Sequence, residues 1–127
     1  MGQQQLLLIV LGVIVVGIAV VVGINLFNAN AISANRDAVV SDLNNLGAMA
    51  QQYYKKPASM GGGANTFTNW TIPTGLDSTA NGTYTITVAA QSVTIVGTGT
   101  EKGNDKQTNV QATATVTPTA ITVQVNN

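Results

Sequence analysis

The chain contains no cysteine and no histidine. Without cysteine there is neither a disulfide nor a thiolate metal site. Without histidine the commonest general base and the commonest transition-metal ligand are missing as well. Charge is scarce: 8% of the residues are Asp, Glu, Lys or Arg, against about a quarter in an ordinary soluble domain. Five basic and five acidic side chains leave a formal net charge of zero, so there is no basic patch to give nucleic acid an electrostatic footing. No proline occurs before Pro57, and no threonine before Thr66. This inventory points away from an enzyme, and it implies no cofactor and no metal.

What is present in abundance is aliphatic. Residues 6–27, LLLIVLGVIVVGIAVVVGINLF, form an uncharged run. At a rise of about 1.5 Å per residue it makes a helix of about 33 Å, matching a bilayer hydrocarbon core of about 30 Å. Its roughly seventeen Leu, Ile, Val and Phe side chains, at about 0.3 to 0.6 kcal/mol each, favour insertion by about 5 to 10 kcal/mol. A secretory signal core is shorter, follows a basic stretch and ends at small residues. Here nothing basic precedes the run, and Asn25-Leu26-Phe27-Asn28 is a poor cleavage site. Membrane helices normally carry Lys or Arg on the cytoplasmic flank, so the expectation is that a basic leader has been removed. Gly12, Ala19 and Gly23 fall on nearly one helix face, and Ala19 with Gly23 is a small-xxx-small pair that lets helix backbones approach.

The helical pattern continues past Phe27. Apolar residues recur at Ile32, Val39, Val40, Leu43, Leu46, Ala50, Tyr53 and Tyr54, one stripe of an amphipathic helix. Arg36, Asp37, Ser41, Asp42, Asn44, Asn45 and Gln51 supply its polar side. Lys55 and Lys56 suit the negative end of the helix dipole, and Pro57 ends the helix. The expected helix runs from about residue 3 to residue 56. Ser59 to Ala64, rich in glycine, reads as a linker; it lacks the phosphate-cradling pattern and the preceding strand that pattern requires.

From Thr66 the period changes to two. Tyr84, Ile86 and Val88 alternate with Thr83, Thr85 and Thr87. Val93 and Ile95 follow a short turn near Gln91-Ser92, and residues 97–107 read as an exposed loop. Val110, Ala112, Ala114 and Val116 alternate with Gln111, Thr113 and Thr115. Pro118 turns the chain into Ile121, Val123 and Val125. Four short strands with tight connections predict an antiparallel meander, with Thr66 to Ile72 as an edge piece. One face is apolar, for the amphipathic half of the helix to cover; the other is threonine, neutral and wet. The fold class is therefore α+β: an apolar helix over 1–28, its amphipathic continuation over 29–56, a linker over 57–65 and a threonine-rich sheet over 66–127.

The carboxylates do not assemble a reaction centre. Asp37 and Asp42 stand five apart, off the i, i+4 face. Glu101 and Asp105 share a stretch with Lys102 and Lys106, without EF-hand spacing, and read as a solvated loop. Asn69-Trp70-Thr71 and Asn81-Gly82-Thr83 are sequons that make Asn69 and Asn81 candidate N-glycosylation acceptors.

The layout resembles a type IV pilin, with motif-level likeness confined to the first 27 residues. The resemblance implies a leader removed by a prepilin peptidase, a membrane-inserted pool, and assembly machinery building a homo-oligomeric filament around a bundle of N-terminal helices. The residues so implicated in core packing are Leu6, Leu7, Val10, Gly12, Val13, Val16, Gly17, Ala19, Val20, Gly23 and Phe27. Most members place Glu at the fifth mature position, pairing with a neighbour's amine. With Met1 as the mature start, that contact falls to Met1 and Gln5, and Gln5 cannot neutralise an amine. Cleavage after Gly2 would put Gln3 first and Leu7 fifth, closer to archaeal pilins. Where many members have a helix-breaking proline this chain has Val22, leaving Gly17 and Gly23 as the breakers. The resemblance implies a cytoplasmic-membrane subunit that becomes an extracellular filament at the cell surface. A pseudopilin of a secretion system and a bitopic, membrane-anchored β-domain binding module are the alternative readings.

Overall fold

From Gln3 the chain meets no helix breaker stronger than a single glycine until Pro57. The computed structural model describes residues 2–127 and begins with one α-helix, α1, over Gln3–Lys55. The N-terminal contact expected at Met1 lies outside the described residues. By its internal contacts the chain divides into two compact units, one ending at Ala31 and the other spanning Ile32–Asn127.

Over residues 6–24 of the first unit α1 is apolar all round. In the second its apolar residues narrow to a stripe, and Asn35, Val39, Leu43, Leu46, Gly47 and Ala50 are buried. Their spacing of three and four keeps them on one face. That face lies on a five-stranded antiparallel sheet with strands in chain order: β1 Ser78–Thr79, β2 Gly82–Val88, β3 Val93–Lys102, β4 Asn109–Val116 and β5 Ile121–Val125. The fold is α+β, with one strand more than the alternation pattern announced. The extra strand, β1, is two residues long, too short to show a period.

The inward residues of the sheet join Val39, Leu43, Leu46 and Ala50 in one core. Tyr84, Val93, Ile95, Ala112, Ala114 and Val116 are all buried there. Because successive strand residues alternate between faces, the intervening threonines form the opposite face. The register aligns them into cross-strand rungs: Thr87, Thr94, Thr115 and Thr122 in one, and Thr85, Val96, Thr113 and Gln124 in the next.

Three expectations are corrected. Thr66 to Ile72 forms no strand; Phe67 and Trp70 leave 0% and 5% of their surfaces exposed, and the segment is spent on seating these two rings. Its one bond toward the sheet runs from Phe67 N–H to the Ala90 carbonyl at 2.9 Å. Residues 97–107 are not one loop, because β3 continues to Lys102. Glycine there marks close approach rather than a turn. A Cβ on Gly97 would strike Val39 and the Tyr84 ring, and one on Gly99 would strike the Asn35 side chain. The Gly-rich segment, finally, is not a free linker. Gly63, Ala64 and Asn65 donate backbone N–H groups to the carbonyls of Tyr53, Lys56 and Tyr54 at 2.7, 3.0 and 2.7 Å. The last carbonyls of a helix run out of donors of its own; that of Tyr53 takes only a long bond of 3.3 Å from the Lys56 N–H besides, so the segment folds back to cap the end of α1.

Candidate functional site

Two surfaces carry the residues singled out by sequence. In the first unit, every large apolar side chain from Leu6 to Phe27 is exposed, from 52% at Val22 to 74% at Phe27. None of the most apolar window is buried, and α1 is long and apolar enough to cross a membrane. Leu6, Leu7, Val10, Val13, Val16, Val20 and Phe27 all stand on this surface, as does Gln5. Gly12, Gly17 and Gly23 have nothing within 4 Å of where a Cβ would stand, the helix's own backbone aside. Alanine in place of a mid-helix glycine favours a helix by about 1 kcal/mol. Nothing in this chain's packing therefore demands glycine at these positions. Gly12, Ala19 and Gly23 share one face of the exposed helix.

In the second unit, Val39, Leu43, Leu46 and Ala50 are buried in the core, with Val40, Tyr53 and Tyr54 half-buried against it. Ile32 is half-buried at the start of the unit. The two tyrosines turn their rings inward and their hydroxyls out: Tyr53 donates to the Thr68 carbonyl at 2.7 Å and Tyr54 to Gln91 Oε1 at 3.0 Å. The Tyr54 and Phe67 rings lie 4.8 Å apart.

The polar residues between helix and sheet are organised around Asn35 and Asp42. Asn35 Oδ1 accepts the backbone N–H groups of Thr100 and Glu101 at 3.1 and 3.2 Å. Its Nδ2 donates to the Asn81 carbonyl at 2.9 Å and to Thr100 Oγ1 at 3.3 Å. The β3–β4 register shifts between Thr98 and Lys102, freeing backbone groups that the ladder would otherwise pair; Asn35 satisfies them. Sequence reading passed over Asn35. Its place four residues before Val39 and eight before Leu43 was the available signal, since it puts an amide on the buried stripe.

Asp42, expected on the solvent side, is instead half-buried. Its Oδ2 accepts from the Tyr84 hydroxyl at 2.5 Å, from Asn81 Nδ2 at 3.1 Å and from the Thr79 hydroxyl at 3.3 Å. Burial, and then the Asp42 carboxylate, hold the Tyr84 phenol well above its ordinary value. A groove of about 350 Å³ opens beside this cluster, lined by Asp42, Leu46, Met49, Leu76 and Thr79 among others. Only Asp42 brings a charge to it, and that carboxylate is already bonded. Asn81 is half-buried with its amide on Asp42, whereas Asn69 is exposed in a left-handed turn at φ 71°.

Comparison with protein-family models, with curated proteins and with solved structures finds no match. At the far end of the sheet, Asp105 closes the β3–β4 turn on itself. Its Oδ1 accepts from the backbone of Gln107 and Thr108 at 2.9 Å each, and its Oδ2 from the Thr108 hydroxyl at 2.6 Å. The Thr108 hydroxyl first, then these backbone donors, hold the Asp105 carboxyl well below the usual range. Glu101 stands on β3 rather than in that turn. Among the described residues no group of three or more Asp, Glu, His or Cys is placed to share a metal ion.

Proposed function

We propose that the chain is a structural, non-enzymatic subunit of an extracellular, type IV pilus-like filament, its major pilin. It is drawn from a membrane-inserted pool and assembled by bundling of residues 6–27. The observation that carries this reading is the exposure of every large apolar side chain on that stretch, beside a second unit that buries its own core without help from it. Water is the wrong neighbour for such a helix. Lipid and a bundle of like helices are the two dry environments it suits, and a filament subunit occupies them in turn. The unexplained Gly12 and Gly23, with Ala19, supply a face on which another helix can approach closely. Membrane, assembly machinery and further copies of the chain are then its partners.

The test is microscopy of material sheared from cells making the chain, with mass analysis of its N-terminus. Filaments built of this chain are expected, and Val16→Arg or Gly23→Arg is expected to abolish them. Intact filaments from either variant would overturn the reading. The same exposed helix suits a bitopic protein that presents the sheet as a binding module, and that reading gains if the chain stays in the membrane and never appears in sheared material. Short fibres confined to a secretion machine would favour a pseudopilin.

A further inference from the structure

The two edges of the sheet are built differently. An exposed strand edge is a row of unpaired N–H and C=O groups, and proteins blunt such edges with charge, proline, bulges or very short strands. The β1 edge is blunted: its strand is two residues long and follows Asp77. The β5 edge is not. Ile121–Val125 pairs with β4 alone, in unbroken register, and no charged residue occurs from Asn109 to Asn127. Pro118 lies before the strand, in the hairpin turn.

The register fixes which backbone groups are free. Thr117 donates to the Ala120 carbonyl and Asn126 to the Gln111 carbonyl, at 2.8 Å each. Hydrogen-bonded residues alternate along an antiparallel strand. Thr122 and Gln124 therefore turn their N–H and C=O toward β4, and Ile121, Val123 and Val125 turn theirs outward. The side chains of the outward-bonding residues line the apolar face at the sheet's margin. Ile121 and Val123 are half-buried, and Val125 is 44% exposed. Within the second unit only Met60 joins Val125 among the large apolar side chains left exposed.

We infer that the β5 edge is a pairing surface for β5 of a second copy of this chain, antiparallel about a two-fold axis at Val123. In that register Ile121 meets the second copy's Val125, and Val123 meets its own counterpart. Every outward N–H and C=O of the strand finds a partner, and the exposed Val125 is covered. A two-fold at Val123 sets that side chain against its own counterpart and makes the strand's two halves each other's partners; β5 carries no charge for the pairing to bring together. The β1 edge of another copy, two residues long, offers no ladder of matching length. The inference does not rest on the filament. A polar filament relates its copies by a screw operation, so this pairing joins unassembled subunits or filaments lying side by side in opposite directions.

The test uses the full chain in detergent micelles, where its lack of cysteine makes every introduced thiol unique. In the stated register Thr122 faces Gln124 of the second copy as a non-hydrogen-bonded pair, about 4.5 Å between Cα atoms, within disulfide reach. Two copies of Thr122 lie on a diagonal of roughly 7–8 Å, too far for easy bridging. Mixed Thr122→Cys and Gln124→Cys chains are expected to give a disulfide dimer that neither gives alone. Adding Val125→Pro should abolish it, because that proline removes an outward N–H and no bond to β4. Amide exchange on the unaltered chain gives a second reading that needs no variant. Val123 and Val125 should be protected at high concentration and lose protection on dilution, while Thr122 and Gln124 stay protected throughout. A mixture yielding no more dimer than its components, or Val123 and Val125 amides exchanging equally fast at all concentrations, would overturn the inference.

Discussion

Residues 6–27 and residues 32–55 lie on one helix and differ in how they spend their apolar side chains. In the first stretch aliphatic residues occupy every side of the helix and all are exposed. In the second they narrow to the stripe of Val39, Leu43, Leu46 and Ala50, each at most 3% exposed. Secondary structure is the same in both; what changes is the angular width of the apolar surface. A stripe requires a partner on one side, and the sheet is that partner. A helix apolar all round requires partners on all sides, and among the described residues its large apolar side chains are left exposed. The width of the stripe thus separates what the chain completes by itself from what it leaves to its surroundings.

The contrast can be broken most sharply at Val16. An Arg at mid-helix disfavours insertion by about 2.5 to 3.5 kcal/mol and puts a charge on the bundling surface. Filament yield should collapse in Val16→Arg and membrane insertion should weaken without being lost, while thermal unfolding of the sheet unit, followed by circular dichroism in detergent, stays unchanged. Leu43→Ala is the converse. It should cost the second unit about 2 to 5 kcal/mol in a denaturant titration and leave membrane insertion untouched. Asn35→Ala probes the polar part of the same stripe. It strands the Thr100 and Glu101 amides, for which a loss of about 1 to 3 kcal/mol is expected, with faster amide exchange at those two residues.

Smaller effects come from titration. Tyr84 is held protonated in the fold, so its contribution is complete below the ordinary phenol value of about 10. Above that pH the unfolded chain ionises first, and stability falls until Tyr84 itself loses its proton. Tyr84→Phe should flatten this alkaline limb and lower stability at neutral pH by about 1 kcal/mol. The acid limb has the opposite sign and the smallest size. Asp105 is held ionised, so its contribution is present above the ordinary carboxylate value of about 3.9 and is lost as pH falls below it. Asp105→Asn should reduce that loss, read from unfolding midpoints between about pH 5 and pH 2. Neither change should alter membrane insertion.

Much of the fold was legible because it depends on period. The switch from 3.6 to 2 around Thr66 locates helix and sheet, and the threonine alternation assigns the wet face residue by residue. What was not legible depends on approach rather than period. Gly97 and Gly99 look like turn residues until Val39, Tyr84 and Asn35 are seen against them. Asn35 and Asp42 are ordinary polar residues on a helix, and only the third dimension gives them the shifted β3–β4 register and the Tyr84 hydroxyl as partners. Phe67 and Trp70 sit in a stretch without periodicity, so nothing in their spacing announces that the core ends on them. The Gly-rich segment reads by composition as a linker, and composition does not show that three of its residues bond carbonyls at the helix end.

The threonine rungs carry a colloidal consequence. Across Thr83, Thr85, Thr87, Thr94, Thr98, Thr113, Thr115 and Thr122 the sheet presents hydroxyls and methyls and no ionisable group. Most protein surfaces hold one another off through like charge, at a range set by the ionic strength. These threonine rungs have no charge of their own to be screened and no proton to gain or lose; the charges of β3, Glu101 and Lys102, stand past them at the strand's end. Whatever meets them in brine or fresh water, in acid or alkali, meets the same hydrated hydroxyl lattice, and only a change in the water itself alters how sticky it is.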